Sequence, residues 1–387
     1  MTKIALLGFG TVGRGLYNIL KEKKELLNSL DINIEISKIL VRDISKYKDI
    51  DKNLLTNDYN DIYLDNGIDI VVEMTGDVEN SYIYIKKALE NGKDVVSSNK
   101  AVVSKYFEEL MEISQDKGRL FLYEASVGGT IPIVREVKSL SIFNNINKIY
   151  GVLNGTSNYI LYNMFENNKD YAEVLKEAQE KGFAEHDPTD DVKGFDMRRK
   201  LRILMSIICK GKITEDDIEV FGLDKINKID VLYLSGNYRV KEVCLGQKLG
   251  DNYVCIIEPC LFKKDEDLAR LEGAYNMVEI YGDYFEKITL KGPGAGSLPT
   301  ASAVLQDIID VIKKNDIRVY GGNDLVNYND NFEGQYYLRT SGDFPEDLVE
   351  REEIYKGQKI IFTKKIKRSD FLNLIKDKDA FFARCIN

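Results

Sequence analysis

The sequence contains a single histidine, His186, and five widely spaced cysteines at positions 209, 244, 255, 260 and 385. It has no CxxC pair, so neither a structural zinc site nor a thioredoxin-like motif is predicted. One histidine also excludes HExxH metal sites and every mechanism that requires two imidazoles. We interpret the cysteines as buried free thiols, because cysteine is among the residues most often found in protein interiors.

Long apolar runs and free basic blocks are also missing from the sequence. No apolar run is long enough to span a bilayer. The N-terminus, MTKIALLGFG, enters a predicted strand directly and lacks the layout of a signal peptide, so we expect a cytoplasmic location. The formal net charge of −9 argues against nucleic acid as a partner, because neutralising phosphates requires a basic face.

The order of predicted elements divides the 387 residues into three domains of an α/β protein. Over residues 1–130, short apolar strands alternate with amphipathic helices, which predicts a parallel, Rossmann-type sheet. Closely spaced strands and helices over residues 131–296 are typical of a separate α+β domain. We assign the next predicted helix, residues 297–315, to the first domain. Residues 321–387 read as three strands and one helix, a small αβ appendage.

A glycine pattern follows the first predicted strand and opens the first predicted helix, the context that indicates a dinucleotide-binding loop. In this pattern the first glycine permits a tight turn, the second lets a pyrophosphate approach the backbone, and the third permits close packing of helix on strand. The helix N-terminus supplies free N–H groups and a partial positive charge. The GxGxxG pattern is formed by Gly8, Phe9, Gly10, Thr11, Val12 and Gly13.

The end of the second predicted strand bears on the choice between NAD and NADP. An acidic residue at this position binds the ribose 2′-hydroxyl of NAD, whereas an arginine accommodates the 2′-phosphate of NADP. In KILVRD, Arg42 comes first and favours NADP, while Asp43 keeps NAD open.

Acidic residues are crowded before a lysine in residues 182–201, GFAEHDPTDDVKGFDMRRKL. Asp196 and Lys200 are four residues apart on a predicted helix and therefore share one face. A surface ion pair, worth only about 0.3–0.5 kcal/mol, is the simpler interpretation. Apolar residues beside Lys200 favour burial of its amine, which would lower its pKa toward the range useful for proton transfer, whereas nearby carboxylates act in the opposite direction. An acidic loop of this kind also suits the ammonium group of an amino acid.

This stretch and six others resemble the motifs of homoserine dehydrogenases. The family reduces L-aspartate 4-semialdehyde to L-homoserine with NAD(P)H, in threonine, methionine and isoleucine biosynthesis. Reduction of an aldehyde builds negative charge on oxygen and requires a proton, and a lysine can meet both demands. The six further motifs, in the family's order, are GFGTVG, VVEMTG, SSNKAVV, YEASVGGTIPI, GVLNGTSNYIL and GPGAGSLPTASAV.

The resemblance implies roles for individual residues. Lys200 is expected to donate the proton with Asp196 as its acidic partner, and Lys100 is expected to assist the chemistry next to the cofactor. The expected substrate ligands are Glu185, Asp191, Gly155 and Thr156. Further contacts to the cofactor are expected from Thr75, Gly76 and Gly296. A monovalent cation, usually sodium, is expected at Glu124, Val127, Gly129 and Ile131.

The resemblance also bears on the C-terminus and on assembly. Many members end in a regulatory ACT domain, a βαββαβ unit, and YYLRTSGDFPEDLV begins like one. The segment up to KIIFTKKI is short for a full first helix and a second strand, so we expect a shortened ACT-like appendage and doubt feedback inhibition by threonine. A homodimer formed through the sheet of the middle domain is expected, with a tetramer as the alternative.

Three alternatives have distinguishable signatures. A Rossmann oxidoreductase for another amino-acid aldehyde or amine would carry different substrate contacts in residues 182–196. A cofactor-binding sensor without activity would lack Lys200 or Asp196, and both are present. An acylating aldehyde dehydrogenase would need a nucleophilic cysteine at an electropositive turn, and none of the five cysteines lies on one.

Overall fold

The computed structural model of the protein describes residues 1–315, 317–319, 321–376 and 379–386. These residues form two compact units. The first unit comprises Met1–Ile142 and Ala295–Tyr320, and the second unit comprises Phe143–Gly294 and Gly321–Asn387. Among the described residues, every helix is too short or too polar to serve as a membrane span.

Strands and helices alternate along most of the first segment of the chain. The strands of residues 1–142 are β1 (Thr2–Leu7), β2 (Ile34–Leu40), β3 (Leu55–Thr56), β4 (Ile70–Glu73), β5 (Asp94–Ser97) and β6 (Phe121–Leu122). The helices of that segment are α1 (Thr11–Glu22), α2 (Lys24–Ser29), α3 (Asn60–Tyr63), α4 (Val78–Glu90), α5 (Lys100–Lys105), α6 (Phe107–Asp116) and α7 (Ile133–Leu140). Residues 143–294 form β7 (Ile146–Val152), α8 (Gly155–Asn167), α9 (Tyr171–Glu180), α10 (Thr189–Val192), α11 (Phe195–Cys209), β8 (Glu219–Val220), α12 (Lys228–Leu234), β9 (Tyr238–Leu249), β10 (Asn252–Lys263), β11 (Tyr275–Gly282) and β12 (Phe285–Pro293). The remaining elements are α13 (Ser297–Ile312), β13 (Val326–Asn327), β14 (Glu333–Thr340), β15 (Val349–Tyr355), β16 (Gln358–Thr363), β17 (Ile366–Lys367), α14 (Arg368–Ile375) and β18 (Ala380–Cys385).

The first unit contains a six-stranded sheet in the order β3-β2-β1-β4-β5-β6, and every neighbouring pair is parallel. The predicted parallel, Rossmann-type sheet is therefore confirmed. Its central strands are continuous apolar runs: Ile4 and Leu6 of β1 and Val72 of β4 are fully buried. Such runs are expected where helices cover both faces of a parallel sheet. The carboxyl ends of β1, β4 and β5 lie side by side, so the loops after these strands come together at one edge.

Helix α13 returns to the first unit and packs on α1. A side chain at Gly15 of α1 would place its Cβ 2.9 Å from Ser297 Oγ and 3.2 Å from the Cβ of Ala301. The Ser297 hydroxyl donates a hydrogen bond of 2.8 Å to the carbonyl of Thr11. Small residues at the crossing thus let the two helices approach closely, and they fix the N-terminus of α13 beside the N-terminus of α1.

The second unit is built on a mixed sheet whose main path is β12-β11-β7-β9-β10-β18-β14-β16-β15. β9 and β10 are its longest strands, and they pair antiparallel along their full length, from Asn252↔Leu249 to Lys263↔Tyr238. Helices α8 and α11 pack against β9. Because α11 is buried almost throughout, its polar residues Asp196 and Lys200 are held in the interior of the unit.

The C-terminal strands continue the same sheet. β18 pairs parallel with β10 on one side and antiparallel with β14 on the other. The buried carboxylate of Glu258 on β10 holds two guanidinium groups, of Arg368 and Arg384, each at 2.5 Å. Burial raises the pKa of Glu258, but the two cations together lower it below its ordinary value. This ion-pair network fastens α14 and β18 to the centre of the sheet.

Candidate active site

The glycine loop connects β1 to α1 in the first unit. Gly8 has a φ of +90°, and a Cβ at this position would lie 3.0 Å from the carbonyl oxygen of Met74. A Cβ at Gly13 would lie 2.5 Å from the carbonyl oxygen of Gly8. Both positions therefore require glycine, the first for its backbone conformation and the second for the close contact between helix and loop.

Gly10 differs from the other two glycines because a Cβ there would meet no described atom within 4 Å. Gly10 is also the N-cap of α1, and no side chain of the described residues caps that helix end. The first-turn N–H groups thus face a space without a side chain, which is the arrangement that receives a pyrophosphate. The residues present fit a dinucleotide.

The intervening residues of the loop contribute their backbone. Phe9 is buried, and its ring makes edge contacts with Tyr17 and Tyr47 at centroid distances of 5.6 Å. Val12 is partly buried against the same core, and Thr11 is exposed and begins α1. Their side chains hold the loop in place, and this leaves the backbone for the cofactor.

Arg42 lies just beyond β2 and its side chain is 91% exposed. A guanidinium nitrogen of Arg42 lies 3.7 Å from a carboxylate oxygen of Asp77, the N-cap of α4. Asp43 is used locally, since its carboxylate accepts hydrogen bonds from the backbone N–H and the hydroxyl of Ser45. These two bonds lower the pKa of Asp43. Arg42 is accordingly the more available of the two for a cofactor group.

Three further predicted segments lie at the carboxyl edge of the parallel sheet or return to it. Thr75 and Gly76 form the loop after β4, and a Cβ at Gly76 would meet no described atom within 4 Å. Lys100 is the first residue of α5, directly after the loop that follows β5. Gly296 is the N-cap of α13 and has a φ of +127°, a conformation that favours glycine.

Lys200 and Asp196 form a buried ion pair in the second unit. The ammonium nitrogen of Lys200 lies 2.6 Å from Oδ2 of Asp196 and 2.7 Å from the carbonyl oxygen of Leu153, which follows β7. Their side chains are only 10% and 6% exposed. This pair is therefore not the surface ion pair that was the simpler interpretation of the sequence, because both charges have lost most of their water.

Asn154 joins this pair to Asp191. Its amide nitrogen donates to Oδ1 of Asp191 at 2.7 Å and to Oδ2 of Asp196 at 2.9 Å. Its amide oxygen accepts the backbone N–H of Ser157 at 2.8 Å and so caps α8. Burial raises the pKa of Asp191, the Asn154 bond opposes that rise, and the charge of Asp196 adds to it. One side chain thus holds two acids of the sequence cluster at fixed positions.

Asn154 was not predicted from the sequence, although it stands directly before Gly155 in the motif GVLNGTSNYIL. Glu242 on β9, which is 1% exposed, was also missed. Burial raises the pKa of Glu242 well above its ordinary value, the Ser157 hydroxyl opposes this, and the charges of Asp191 and Asp196 add to it.

Gly155 and Thr156 begin α8, beside this network. A Cβ at Gly155 would lie 2.7 Å from the carbonyl oxygen of Ala274, so only glycine fits. The Thr156 hydroxyl donates to the carbonyl of Phe183 at 2.7 Å, which ties α8 to the acidic loop. Glu185, two residues further along, is exposed, and its backbone carbonyl accepts from Gln179. The structure does not bring the Glu185 carboxylate into the hydrogen-bond network of Lys200.

Glu124, in the first unit, is 4% exposed, and both of its carboxylate oxygens accept backbone N–H groups of α7. The donors are Val134 at 2.9 Å and Arg135 at 2.7 Å. Burial raises the pKa of Glu124 to about 7 against the effect of these bonds. Among the described residues, no group of three or more His, Cys, Asp or Glu side chains is arranged to hold a metal ion.

The remaining cation ligands that were predicted form the turn between Glu124 and α7. Gly128 and Gly129 have left-handed φ values of +77° and +67°. The carbonyl of Ile131 accepts the N–H of Ile133 at 2.8 Å, and Val127 is buried and donates its N–H to the Glu124 carbonyl at 3.1 Å. The turn is folded tightly, and its ligands for a cation would be carbonyl oxygens.

Known proteins resemble this chain along most of its length. The family model described as the NAD binding domain of homoserine dehydrogenase matches residues 8–124, and the model described as homoserine dehydrogenase matches residues 132–309. The homoserine dehydrogenase of Bacillus subtilis is 35% identical over 323 residues, which cover 82% of this chain and 75% of that protein. The enzyme of the same name from Lactococcus lactis is 33% identical over 373 residues, 93% of this chain and 87% of the relative.

Two solved structures extend the likeness to the fold. A homoserine dehydrogenase from Thiobacillus denitrificans superimposes with a TM-score of 0.91 at 30% identity, covering 100% of this chain and 98% of that chain. A hyperthermophilic archaeal homoserine dehydrogenase in complex with NADPH gives a TM-score of 0.70 at 26% identity, covering 82% of this chain and 99% of that chain. Both therefore share the α/β architecture of this chain, and the second has a nicotinamide cofactor bound.

Proposed function

The chain belongs to the homoserine dehydrogenase family, oxidoreductases that interconvert L-aspartate 4-semialdehyde and L-homoserine with NAD(P)H, and we propose that Lys200 donates the proton in this reaction. The observation that carries the proposal is the position of its ammonium group, buried against Asp196 and the Leu153 carbonyl. An ammonium group has three N–H donors, and these two acceptors occupy two of them. The third is available for the oxygen of a substrate.

Asp196 pairs with the Lys200 ammonium group in this interior position, with 2.6 Å between the carboxylate oxygen and the nitrogen. The charged amine stabilises the negative oxygen that forms as the aldehyde is reduced, and its proton completes the alcohol. In the direction of homoserine oxidation, Lys200 acts as the neutral amine, which takes the proton from the hydroxyl group as the hydride leaves for the cofactor.

We propose that Asp191 binds the amino group of the substrate. Asn154 fixes one carboxylate oxygen of Asp191, and a carboxylate has acceptor sites beyond this bond that can receive an ammonium group. Gly155 and Thr156 are proposed to bind the substrate through the N-terminal end of α8. Glu185 is kept as a ligand of the other end of the substrate, directly or through water, because its carboxylate lies on the loop that Thr156 holds.

The cofactor is proposed to be NADP in preference to NAD. The exposed guanidinium group of Arg42 suits a 2′-phosphate, and the carboxylate of Asp43 is already used by Ser45. The nicotinamide supplies the hydride when the cofactor is bound. The residues proposed to hold the cofactor are the loop from Gly8 to Gly13 with Phe9, Gly10, Thr11 and Val12, together with Arg42, Thr75, Gly76, Lys100 and Gly296.

Several further features belong to the proposal. A sodium ion is proposed at Glu124 and the carbonyl oxygens of Val127, Gly129 and Ile131, although the Glu124 carboxylate also accepts two N–H groups of α7. We propose a cytoplasmic homo-oligomer, a dimer or a tetramer. We also keep the domain limits 1–130 with 297–315, 131–296 and 321–387. The last of these is proposed as a shortened ACT-like module, in which the chain forms β15 after β14 where the full unit has a helix, and β15 pairs with β16 at the end of the sheet.

A spectrophotometric assay tests the function. Purified protein is mixed with L-homoserine and either NADP or NAD, and the appearance of reduced nicotinamide is followed. We expect turnover with both L-homoserine and cofactor present, and a higher kcat/KM with NADP. L-Threonine as the substrate in place of L-homoserine is the matched control, because its hydroxyl is on a different carbon. Equal turnover of the two would show that the site does not select the proposed substrate.

A further inference from the structure

Glu73 is the last residue of β4 and is completely buried. A carboxylate in such a position is costly unless hydrogen bonds replace the water that it has lost. Burial raises the pKa of Glu73, and hydrogen bonds from Ser97, Thr75 and Ser81 oppose the rise. Among the described residues no lysine or arginine forms an ion pair with it, so neutral donors alone hold the group.

The first set of donors comes from the loop that follows β4. Oε1 of Glu73 accepts the backbone N–H of Thr75 at 2.7 Å and the hydroxyl of Thr75 at 2.8 Å. It also accepts the hydroxyl of Ser81 on α4 at 2.8 Å. The carboxylate therefore fixes both the backbone and the side chain of Thr75, directly before Gly76.

The second set of contacts leads to Lys100. Oε2 of Glu73 accepts the hydroxyl of Ser97, the last residue of β5, at 2.7 Å. The Ser97 oxygen in turn accepts the backbone N–H of Asn99 at 3.1 Å, and the Asn99 amide donates to Ser81 at 3.3 Å. Asn99 caps α5 through the N–H groups of residues 101 and 102. Lys100 is the first residue of that helix, so its backbone is placed by this chain of bonds.

We propose that Glu73 is a positioning residue that fixes the Thr75–Gly76 loop and the Lys100 helix relative to one another. The proposal rests on the proposed function, since it assumes that these two segments serve the cofactor and the reaction. A single carboxylate receives donors from the ends of two neighbouring parallel strands, at the edge of the sheet where ligands of such folds bind. Its role in this arrangement is to fix geometry, because the donors that it receives from both segments are uncharged.

Glu73→Gln is the direct test, because glutamine keeps the shape of the side chain and replaces one acceptor oxygen by an NH2 donor. We expect kcat for homoserine oxidation to fall about tenfold to a hundredfold, since misplacement by about 1 Å has effects of this size. KM for NADP should rise by a smaller factor than kcat falls, because the Thr75–Gly76 loop loses a contact while the glycine loop is untouched. Glu35→Gln, an exposed glutamate on β2 of the same sheet, is the matched control and should keep wild-type values.

A double-mutant cycle with Lys100→Ala separates positioning from a general loss of structure. If Glu73 acts through Lys100, Glu73→Gln should cost less than about threefold in the Lys100→Ala background. Full additivity of the two losses would overturn the role assigned to Glu73 with respect to Lys100. Wild-type kcat in a folded Glu73→Gln protein would overturn the whole inference.

Ser97→Ala keeps the inference testable should Glu73→Gln fail to fold. This variant removes only the link from Oε2 toward Asn99, and we expect a smaller loss of kcat, about threefold to tenfold, with KM for NADP unchanged. Wild-type kcat in Ser97→Ala would contradict the link. The proposed function is judged separately, since it fails if the wild-type protein does not oxidise homoserine.

Discussion

Replacing Lys200 with alanine removes the ammonium group that lies between Asp196 and the carbonyl of Leu153. The side chain is only 10% exposed and contacts its neighbours at 2.6 Å and 2.7 Å. In the variant, Asp196 keeps the hydrogen bond from Asn154 at 2.9 Å. The helix itself should persist, because alanine is the best helix former.

The magnitude follows from the two roles of the amine. Loss of a positioned general acid or base typically lowers a rate by about 10²- to 10⁴-fold. Loss of one donor to a developing oxyanion lowers kcat by about 10²- to 10³-fold when measured alone. The two losses are not multiplied in full, because one amine has both roles. We expect kcat for Lys200→Ala to be about 10³- to 10⁴-fold lower. Loss of this donor to the buried Asp196 carboxylate should lower the free energy of unfolding by about 1–3 kcal/mol.

The assay compares homoserine oxidation with binding of NADPH, which is measured by the change in its fluorescence. Lys200→Ala should bind NADPH like the wild type and lose turnover. Lys193→Ala is the matched control, since Lys193 lies on the same acidic stretch but is exposed and 3.5 Å from Asp224. A rate within about tenfold of wild type in Lys200→Ala would refute the assignment of the proton donor.

Asn154→Ala should raise KM for homoserine about tenfold, because Asp191 and Asp196 lose their shared donor. Steady-state kinetics would check this, with Asn163→Ala as the control variant. Arg42→Ala should raise KM for NADPH about tenfold and KM for NADH less than twofold, and equal effects on both would contradict a 2′-phosphate contact. Burial raises the pKa of Glu124 to about 7, so the folded protein binds this proton more tightly than the unfolded chain does. The free energy of unfolding should therefore decrease as pH rises from about 4.5 through 7. The loss amounts to about 3 kcal/mol, so melting temperatures between pH 5 and 8 should vary less in Glu124→Gln than in the wild type.

The parallel sheet of the first unit was predictable because each part of its sequence agrees with the same structure. The strands are apolar runs, the helices have one apolar face, and the glycines stand where a strand turns into a helix. Gly13 shows the limit of this reasoning, since the sequence indicates close packing but not that the contact is with Gly8. The pairing of Asp196 with Lys200 was predictable from their spacing by four on one helix. Their burial was not, because the sequence was equally compatible with a surface ion pair.

The residues that sequence reasoning missed are those whose partners are distant in the chain. Asn154 reaches Asp191 and Asp196, 37 and 42 positions away, and no local period reveals such contacts. Glu242 stands between Lys241 and Val243 on β9, and a single Lys-Glu pair in a strand gave no signal of burial. The strand β15, VEREEIY, is mostly exposed and charged, and it forms only because β16 provides a paired edge. Helix α8 was also missed, because its aromatic and asparagine residues are weak helix formers and tertiary packing decides its structure.

A crystal structure of the protein with L-homoserine and NADP bound would test the central claim most directly. The account predicts that the hydroxyl oxygen of homoserine lies about 3 Å from the ammonium nitrogen of Lys200 while that nitrogen keeps its bond to Asp196. A homoserine hydroxyl group held by other side chains, with the Lys200 nitrogen turned away from it, would contradict the account.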